Sequence, residues 1–219
     1  MASDPTVFIV DDDQAVRDSL QWLIQSVGLN VVTFPDALSF LNHVNEDQAG
    51  CVVLDVRLPG ISGLELQQKL AARGIRMPVI IVTGHGDVPM AVRAMKAGAL
   101  DFIEKPFSDQ VLLDQVQKAI DIDSRGRAER AVTKVIVERL HSLSPREREV
   151  LERVVEGKVT REIAAELSLA DKTVEAHRAR VMEKMKAGSI AELVRLTLTA
   201  QAAEQADEAA ASGAPHHPA

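Results

Sequence analysis

Residues 7–17, VFIVDDDQAVR, carry the pattern that best indicates the fold of the first half of the chain. Four apolar residues (7–10) run directly into three carboxylates, and a helical pattern follows. A short apolar run of this kind is typical of a strand that is buried on both faces. Adjacent like charges repel each other, so Asp11, Asp12 and Asp13 indicate either a solvated loop or a site that holds a cation.

Four more apolar runs follow the first at similar intervals: VVTF (31–34), CVVL (51–54), VIIV (79–82) and LDFI (100–103). Helical patterns separate them, and Gly28, Gly74 and Gly98 stand where three of those helices are expected to end. Five strand–helix units of this size predict an α/β domain over residues 1–121. Its expected fold is flavodoxin-like, a doubly wound five-stranded parallel sheet.

Composition limits the class of protein. The chain has 219 residues, 46% of them hydrophobic, which is enough for one or two domains with a proper core. It contains no apolar run of the ~20 residues that a membrane span needs and no pattern typical of a signal peptide. We therefore expect a cytoplasmic protein without a membrane partner. The single cysteine, Cys51, lies in an apolar run and is expected to be a small buried hydrophobe.

The second half of the chain lacks strand signals. Residues 122–140 are expected to be a partly helical linker, and 141–202 an all-α unit of four helices. Ser144 with Glu147 forms a capping-box pattern for the first of these helices. Thr160, Asp171 and Ser189 are placed to cap the other three. The Ala-rich residues 203–219 are expected to be a disordered tail.

Polar side chains follow the predicted strands of the first half. Asp11, Asp12 and Asp13 follow the first strand, Asp55 the third, Thr83 the fourth and Lys105 the fifth. In the common strand order 2-1-3-4-5, the acids of strands one and three converge at the carboxyl edge of the sheet. Mg²⁺ would relieve their mutual repulsion. The pattern favours Asp55 as a phosphoryl acceptor, with lysine and threonine to stabilise the transferred group.

These residues carry a resemblance. Residues 7–121 resemble the CheY-like receiver domain of response regulators in the acid pair after strand one, LDVRLPG, VTGHG and FIEKPF. TGHGDVPMAVRAMKAGA is similar to the FixJ branch of that family. The resemblance implies that Mg²⁺ is held by Asp12, Asp55 and the backbone carbonyl of Arg57, and that Asp11 acts through water. It also implies a Lys105–Asp55 bridge and a cis Lys105–Pro106 bond, whereas Asp13 is expected to begin the first helix.

The resemblance also implies a switch. A sensor histidine kinase would phosphorylate Asp55, Thr83 and Lys105 would move towards the phosphoryl group, and Phe102 would pack inward. An ordinary core role for Phe102 stays open. A dimer face is expected near Val92 and Lys96. No enzyme activity is expected beyond the domain's own aspartyl phosphorylation and dephosphorylation.

A phosphatase of the haloacid dehalogenase type also uses a D-x-D pattern after its first strand. Such enzymes need a further acidic pair after the lysine, but here the lysine is followed by PFSDQ with Asp109 alone. The order of acids, single aspartate, threonine and lysine favours the receiver.

Residues 141–202 resemble the LuxR/NarL type of helix-turn-helix domain in the run LSPREREVLERVVEGKVTREIAAELSLADKTVEAHRARVMEKM. In the third helix Val174, Val181 and Met185 share an inward face, which predicts that the opposite face meets DNA. Glu175 can accept from cytosine N4, and Ala176 can touch a thymine methyl group. The candidate DNA contacts are Lys158, Lys172, Thr173, Glu175, Ala176, His177, Arg178, Arg180 and Lys184.

Together these features predict a transcription regulator that is activated by phosphorylation. The expected partners are a histidine kinase, promoter DNA, RNA polymerase by family resemblance, and a second copy of the chain. The alternative is a receiver whose helical half binds protein rather than DNA.

Overall fold

The structure is a computed structural model that describes the backbone of residues 4–84 and 86–212, with side chains at all of these except 207 and 209–212. The chain divides into two compact units, of which the first ends at Arg127 and the second begins at Ala128. Among the described residues, no helix has the length and apolar character needed to span a membrane.

The first unit is the predicted α/β domain. Its elements are β1 (Thr6–Val10), α1 (Gln14–Ser26), β2 (Asn30–Phe34), α2 (Ala37–His43), β3 (Gly50–Leu54), α3 (Gly63–Ala72), β4 (Val79–Thr83), α4 (Val88–Lys96), β5 (Asp101–Glu104) and the start of α5 (Asp109–His141). All neighbouring strands are parallel, in the order β2-β1-β3-β4-β5. The predicted strand order and fold class are confirmed.

Apolar side chains fill both faces of this sheet. One cluster joins the strands to helices α2, α3 and α4, and the other joins them to α1 and α5. Strands β3 and β4 are buried at every position, as their continuous apolar runs predict. Cys51 is fully buried, and that burial raises the pKa of its thiol to about 12, so it behaves as a core residue.

Helix α5 differs from the prediction for residues 122–140. Every residue of that range lies in one continuous helix, so the range is helical throughout rather than in part. The first compact unit also extends past 121, because α5 reaches back to the loop before β3. The Asp123 carboxylate accepts from the Gly50 N–H at 2.9 Å, and the Arg127 guanidinium donates to the Asp47 carbonyl at 2.6 Å and the Gln48 carbonyl at 3.1 Å.

The second unit consists of the end of α5 with α6 (Pro145–Val155), α7 (Thr160–Leu167), α8 (Asp171–Met185) and α9 (Ile190–Ser212). These helices enclose one apolar cluster. The capping box of Ser144 and Glu147 is confirmed. Helices α7 and α8 begin one residue earlier than their predicted caps imply, since Val159 and Ala170 occupy the N-cap positions. The Glu162 carboxylate accepts from the Val159 N–H at 3.0 Å and thereby satisfies the start of α7.

Helix α9 contradicts part of the predicted disordered tail. It continues to Ser212, so residues 203–212 are helical. The Ala-rich composition that suggested low complexity also has the highest helix propensity, which explains the extension. Residues 213–219, the remainder of the predicted tail, lie outside the described residues.

Candidate phosphoacceptor site and nucleic-acid interface

The parallel register of β1 and β3 brings two carboxylates together. Val10 pairs with Leu54, and the next residue on β3's side, Asp55, donates its N–H to the Val10 carbonyl at 2.8 Å. Asp11 and Asp55 are only 3% and 7% exposed, which is unusual for acidic side chains. The predicted convergence of these two acids at the carboxyl edge of the sheet is therefore seen.

Lys105 links both acids from β5's side of the sheet. Its Nζ lies 2.8 Å from Asp11 Oδ2 and 3.6 Å from Asp55 Oδ1. Its backbone N–H donates to the carbonyl of Thr83 at 2.8 Å, and Thr83 itself is buried. The Lys105–Pro106 bond is cis, as the resemblance implies. Four of the predicted site residues thus share one buried edge of the sheet.

The electrostatics of Asp55 are set by competing effects. Burial is the largest and raises the pKa of the Asp55 carboxyl, and the neighbouring Asp11 charge acts in the same direction. The Arg57 N–H, which donates to Asp55 Oδ2 at 2.6 Å, and the Lys105 ammonium both act to lower that pKa. The lysine offers one positive charge to two carboxylates, so the site retains a negative charge when both are ionised.

The two remaining acids of the triplet have different environments. Asp12 is exposed beside the buried pair, whereas Asp13 is the N-cap of α1 and its Oδ1 accepts from the N–H groups of Ala15 and Val16 at 2.8 and 3.3 Å. The expectation that Asp13 begins the first helix is confirmed. No three His, Cys, Asp or Glu side chains of the described residues form a metal-binding group. The donor chemistry still fits a hard divalent cation, because the buried pair consists of oxygen donors with excess negative charge.

Two residues that support the site were missed by sequence reasoning. Arg17 is buried and donates from Nη1 to the Asp11 carbonyl at 2.6 Å, which fixes the start of the acidic loop. Gly63 begins α3 so close to the loop that a Cβ there would lie 2.1 Å from the Asp55 carbonyl oxygen. The second glycine of LPGISG, Gly63, was the available signal for this close approach. Nothing in the local sequence distinguishes a buried arginine on α1.

The predicted switch aromatic and dimer residues lie on adjoining elements. Phe102 is half-buried and packs against the cluster that includes α4. A Cβ on Gly86 would lie 3.0 Å from its ring, so the loop before α4 approaches the ring closely. Val92 and Lys96 are exposed on α4, where Val88 and Met95 extend the apolar surface at helical spacing.

Helix α8 in the second unit presents the face expected of a recognition helix. Val174, Val181 and Met185 are buried, as predicted. His177 and Arg178 are half-buried at the edge of that inward face. The exposed residues of the helix include Lys172, Thr173, Glu175, Ala176, Ala179 and Arg180.

The three remaining basic candidates of this unit have protein partners. Lys158 Nζ lies 2.6 Å from Glu166 Oε1 and 3.0 Å from Glu156 Oε2, and these carboxylates are well exposed. Arg178 donates to Thr160 Oγ1 at 2.8 Å. Lys184 Nζ lies 2.7 Å from the buried Glu147.

Comparison with known proteins defines the class. The family described as "Response regulator receiver domain" matches residues 7–117, and the family "Bacterial regulatory proteins, luxR family" matches residues 141–197. The chain belongs to the response regulators that combine a receiver domain with a LuxR-type DNA-binding domain.

Individual members of this class are similar to the chain over most of its length. Nodulation protein W of Bradyrhizobium diazoefficiens is 48% identical over 193 residues, which cover 88% of this chain and 85% of that protein. Transcriptional regulatory protein FixJ of Azorhizobium caulinodans is 50% identical over 202 residues, covering 92% and 95%. Among solved structures, response regulator StyR superposes with a TM-score of 0.81 at 44% identity and covers 89% of this chain and 98% of that one.

The fold, the site and these relatives establish the general function. The chain is a transcriptional regulator that is activated by phosphorylation and binds DNA through its C-terminal helix-turn-helix domain. The alternative, in which the helical half binds only protein, gains no support, since that half matches the luxR family along residues 141–197.

Proposed function

We propose that Asp55 accepts a phosphoryl group from a sensor histidine kinase. The observation that carries this proposal is the convergence of the buried Asp11 and Asp55 carboxylates on the Lys105 ammonium at the carboxyl edge of the sheet. This is where ligands bind in open α/β sheets. A buried acidic pair with a single lysine has little value for stability, so a chemical role is the better account of it.

The transfer follows from the chemistry of the carboxylate. An ionised Asp55 oxygen attacks phosphorus, the P–N bond to the kinase imidazole breaks, and the imidazole leaves with that electron pair and takes up a proton. The Arg57 N–H and Lys105 favour the ionised form against the effect of burial. Lys105 then pairs with a phosphoryl oxygen, and the Thr83 hydroxyl donates to another. Hydrolysis of this aspartyl-phosphate is the only other reaction proposed for the domain.

We assign Mg²⁺ to Asp12, Asp55 and the backbone carbonyl of Arg57, with Asp11 acting through water. Bound there, the cation neutralises charge on the phosphoryl group during transfer. The exposed position of Asp12 beside the buried pair suits a residue that meets both the ion and solvent. Asp11 accepts from Lys105 and from the Asp13 N–H at 2.9 Å, which suits a supporting role.

Phosphorylation adds about −1.5 to −2 charges at Asp55. We propose that Thr83 and Lys105 move towards this charge and that Phe102 packs inward, which changes the surface formed by α4 and β5. The exposed residues Val88, Val92 and Met95 form an apolar stripe on α4, and such stripes mark interaction surfaces. A homodimer through Val92 and Lys96 follows from that change.

The dimer presents two copies of α8 to DNA half-sites about one helical turn apart. Lys158, Lys172 and Arg180 supply phosphate contacts, whereas Thr173, Glu175 and Ala176 face the bases. His177 is half-buried and lies at the edge of this surface. We propose a receiver over 1–121 and a DNA-binding domain over 141–202 as the functional modules, joined by 122–140. The complex recruits RNA polymerase in the cytoplasm, where its promoter DNA lies.

Intact-mass spectrometry tests the phosphoacceptor directly. Incubation with acetyl phosphate and Mg²⁺ is expected to add one phosphoryl mass to the protein and none to Asp55→Asn. The variant Asp109→Asn, which removes an acid from the first turn of α5, is the matched control and is expected to be phosphorylated normally. Equal labelling of wild type and Asp55→Asn would exclude Asp55 as the acceptor.

A further inference from the structure

Two basic residues of the recognition helix α8 make hydrogen bonds to the rest of the helical unit, although the Lys184 side chain itself is 39% exposed. Arg178 is half-buried, and its Nη1 donates to Thr160 Oγ1 at 2.8 Å. Thr160 is the first residue of α7, the helix that precedes the recognition helix in the helix-turn-helix motif. This bond therefore joins the middle of α8 to the start of its partner helix.

Lys184, near the C-terminal end of α8, makes a similar link to α6. Its Nζ donates to Glu147 Oε2 at 2.7 Å and to the Ser142 carbonyl at 3.2 Å. Glu147 is only 4% exposed, and the same Oε2 accepts from the Ser144 N–H at 2.8 Å. Moving Lys184 to a DNA phosphate would leave a buried carboxylate without its cation, which is costly.

The other basic residues of this surface are in a different situation. Among the described residues, Lys158 pairs with two carboxylates whose side chains are 40% and 49% exposed. Exposed pairs of this kind are weak and easily exchanged. Lys172 and Arg180 are exposed, and among the described residues no carboxylate forms an ion pair with either. These three side chains can turn to a phosphate without breaking a buried contact.

We infer that Arg178 and Lys184 are positioning residues, which set the orientation of the recognition helix through Thr160 and Glu147 and do not contact DNA phosphate. The phosphate contacts then fall to Lys158, Lys172 and Arg180. This inference rests on the proposed binding of DNA through α8 and divides the basic residues of that interface into two classes.

The two classes differ in measurable ways. The slope of log K against log salt is negative, and loss of one phosphate contact makes it less steep by about 0.9. It also weakens binding to any sequence. Loss of a positioning contact misaligns the side chains that meet the bases, so it weakens binding to the preferred sequence and leaves the slope and the binding to other sequences unchanged. Loss of overall stability changes neither quantity while the protein remains folded.

The experiment uses the full-length protein treated with beryllofluoride and Mg²⁺. The probes are a duplex that this protein enriches from a random pool and a shuffled duplex of the same composition. Arg178→Gln and Lys184→Gln are expected to lose roughly tenfold in affinity for the enriched duplex, the scale of one charged hydrogen bond. Their salt slopes should match wild type. The proposed dimer carries two copies of each side chain, so Lys172→Gln and Arg180→Gln should each make the slope less steep by about 1.8.

Thr160 provides a test without any change in charge. Thr160→Val should reproduce the loss of affinity seen in Arg178→Gln. Thr160→Ser should retain wild-type affinity because it keeps the hydroxyl. The double variant Thr160→Val/Arg178→Gln should bind the enriched duplex no more weakly than either single variant. If Arg178→Gln fails to fold, the Thr160 pair still decides the question for that residue.

A salt slope less steep by about 1.8 in Arg178→Gln and Lys184→Gln, or additive effects of Thr160→Val and Arg178→Gln, would overturn the inference. In both cases DNA binding itself stands. If the wild-type protein enriches no duplex, the proposed DNA-binding function fails and the inference fails with it.

Discussion

The two units of the chain use charge in opposite ways. In the first, Asp11, Asp55 and Lys105 come from three different strand ends and meet in a buried site. In the second, most of the charges that we propose to face DNA lie on one helix and are exposed, as Lys172 and Arg180 show. Buried charges are costly to rearrange and suit a chemical switch, whereas exposed charges exchange partners easily and suit recognition of a polyanion.

The largest effect is expected within the acidic triplet. Asp12→Ala should abolish phosphorylation of Asp55 by acetyl phosphate, because it removes a carboxylate assigned to Mg²⁺. Phosphate-affinity electrophoresis after a fixed incubation measures the phosphorylated fraction.

Asp13→Ala is the matched control, since it removes the adjacent acid and changes net charge equally. Asp13 caps α1, and losing a cap costs about 1 kcal/mol of stability while leaving the chemistry intact. Equal loss of phosphorylation in both variants would contradict the separate roles of the two residues.

The close approach of α3 to the phosphoacceptor loop is expected to give the next largest effect. In Gly63→Ala the new methyl group would lie 2.1 Å from the Asp55 carbonyl oxygen. Backbone must move, so we expect the free energy of unfolding to fall by about 1–3 kcal/mol and the rate of phosphorylation to fall with it. Hydrogen exchange of the amides of β3 and α3 at increasing urea concentrations measures the loss in this unit.

Gly188→Ala is the control in the second unit. There a Cβ would meet only the flexible Glu192 carboxylate at 3.4 Å, so the protection of the β3 and α3 amides and the phosphorylation rate should both be unchanged. A wild-type rate in Gly63→Ala would show that the loop tolerates the displacement.

The buried charge of the second unit predicts a pH dependence. Hydrogen bonds from Lys184 and from the Ser144 N–H lower the pKa of Glu147 from 4.5 to about 2. The folded state thus favours the ionised form, so this stabilisation is complete above pH 4.5 and is lost as the pH falls towards 2. The protection factors of amides in α6 and α8, which are corrected for the intrinsic pH dependence of exchange, are expected to fall across that range.

Glu147→Gln should remove this pH dependence and cost about 2 kcal/mol of stability at neutral pH. Glu149→Gln, which removes an exposed partner of Arg146, should cost less than about 0.5 kcal/mol. If hydrogen exchange in Glu147→Gln keeps the wild-type pH profile, the stabilising role of the Lys184–Glu147 pair is wrong.

The smallest effect is expected on the exposed face of α8. Glu175→Ala removes a negative charge from the face of α8 that we propose to meet DNA, so affinity for a shuffled duplex should rise by less than about tenfold. Preference for cytosine at one base position should weaken at the same time. Selection from a random pool compares the two proteins, and an unchanged sequence preference would remove Glu175 from the base contacts.

Much of the first unit was predictable because its signals are local. Each apolar run became a strand, and each strand end placed its polar residue at the same edge of the sheet, where Asp11, Asp55 and Lys105 meet. The supporting contact of Arg17 was not predictable, since it depends on a carbonyl oxygen that the fold brings near, whereas the close approach at Gly63 had a signal in the glycine itself that was missed.

The second unit shows the same limit. The buried face of α8 and the position of His177 or Arg178 at its edge followed from periodicity, but the pattern still made Arg178 and Lys184 phosphate candidates alongside Lys172. All are basic residues on one helix, and only the three-dimensional positions of Thr160 and Glu147 separate them.

The joining segment and the tail were the weakest predictions. Asp123 and Arg127 tie α5 to the loop before β3 across a large sequence separation, which no local pattern reveals. The Ala-rich composition after residue 202 is typical both of low-complexity segments and of helices, and the structure shows a helix that continues to Ser212.

The central claim is that charge added at Asp55 in the first unit controls DNA binding by the second. Fluorescence anisotropy with the enriched duplex, measured with and without acetyl phosphate and Mg²⁺, tests it most directly. We predict that phosphodonor raises the affinity of the wild-type protein at least about tenfold and leaves Asp55→Asn unchanged. An equal rise in both proteins, or no rise in the wild type despite full phosphorylation, would contradict the account.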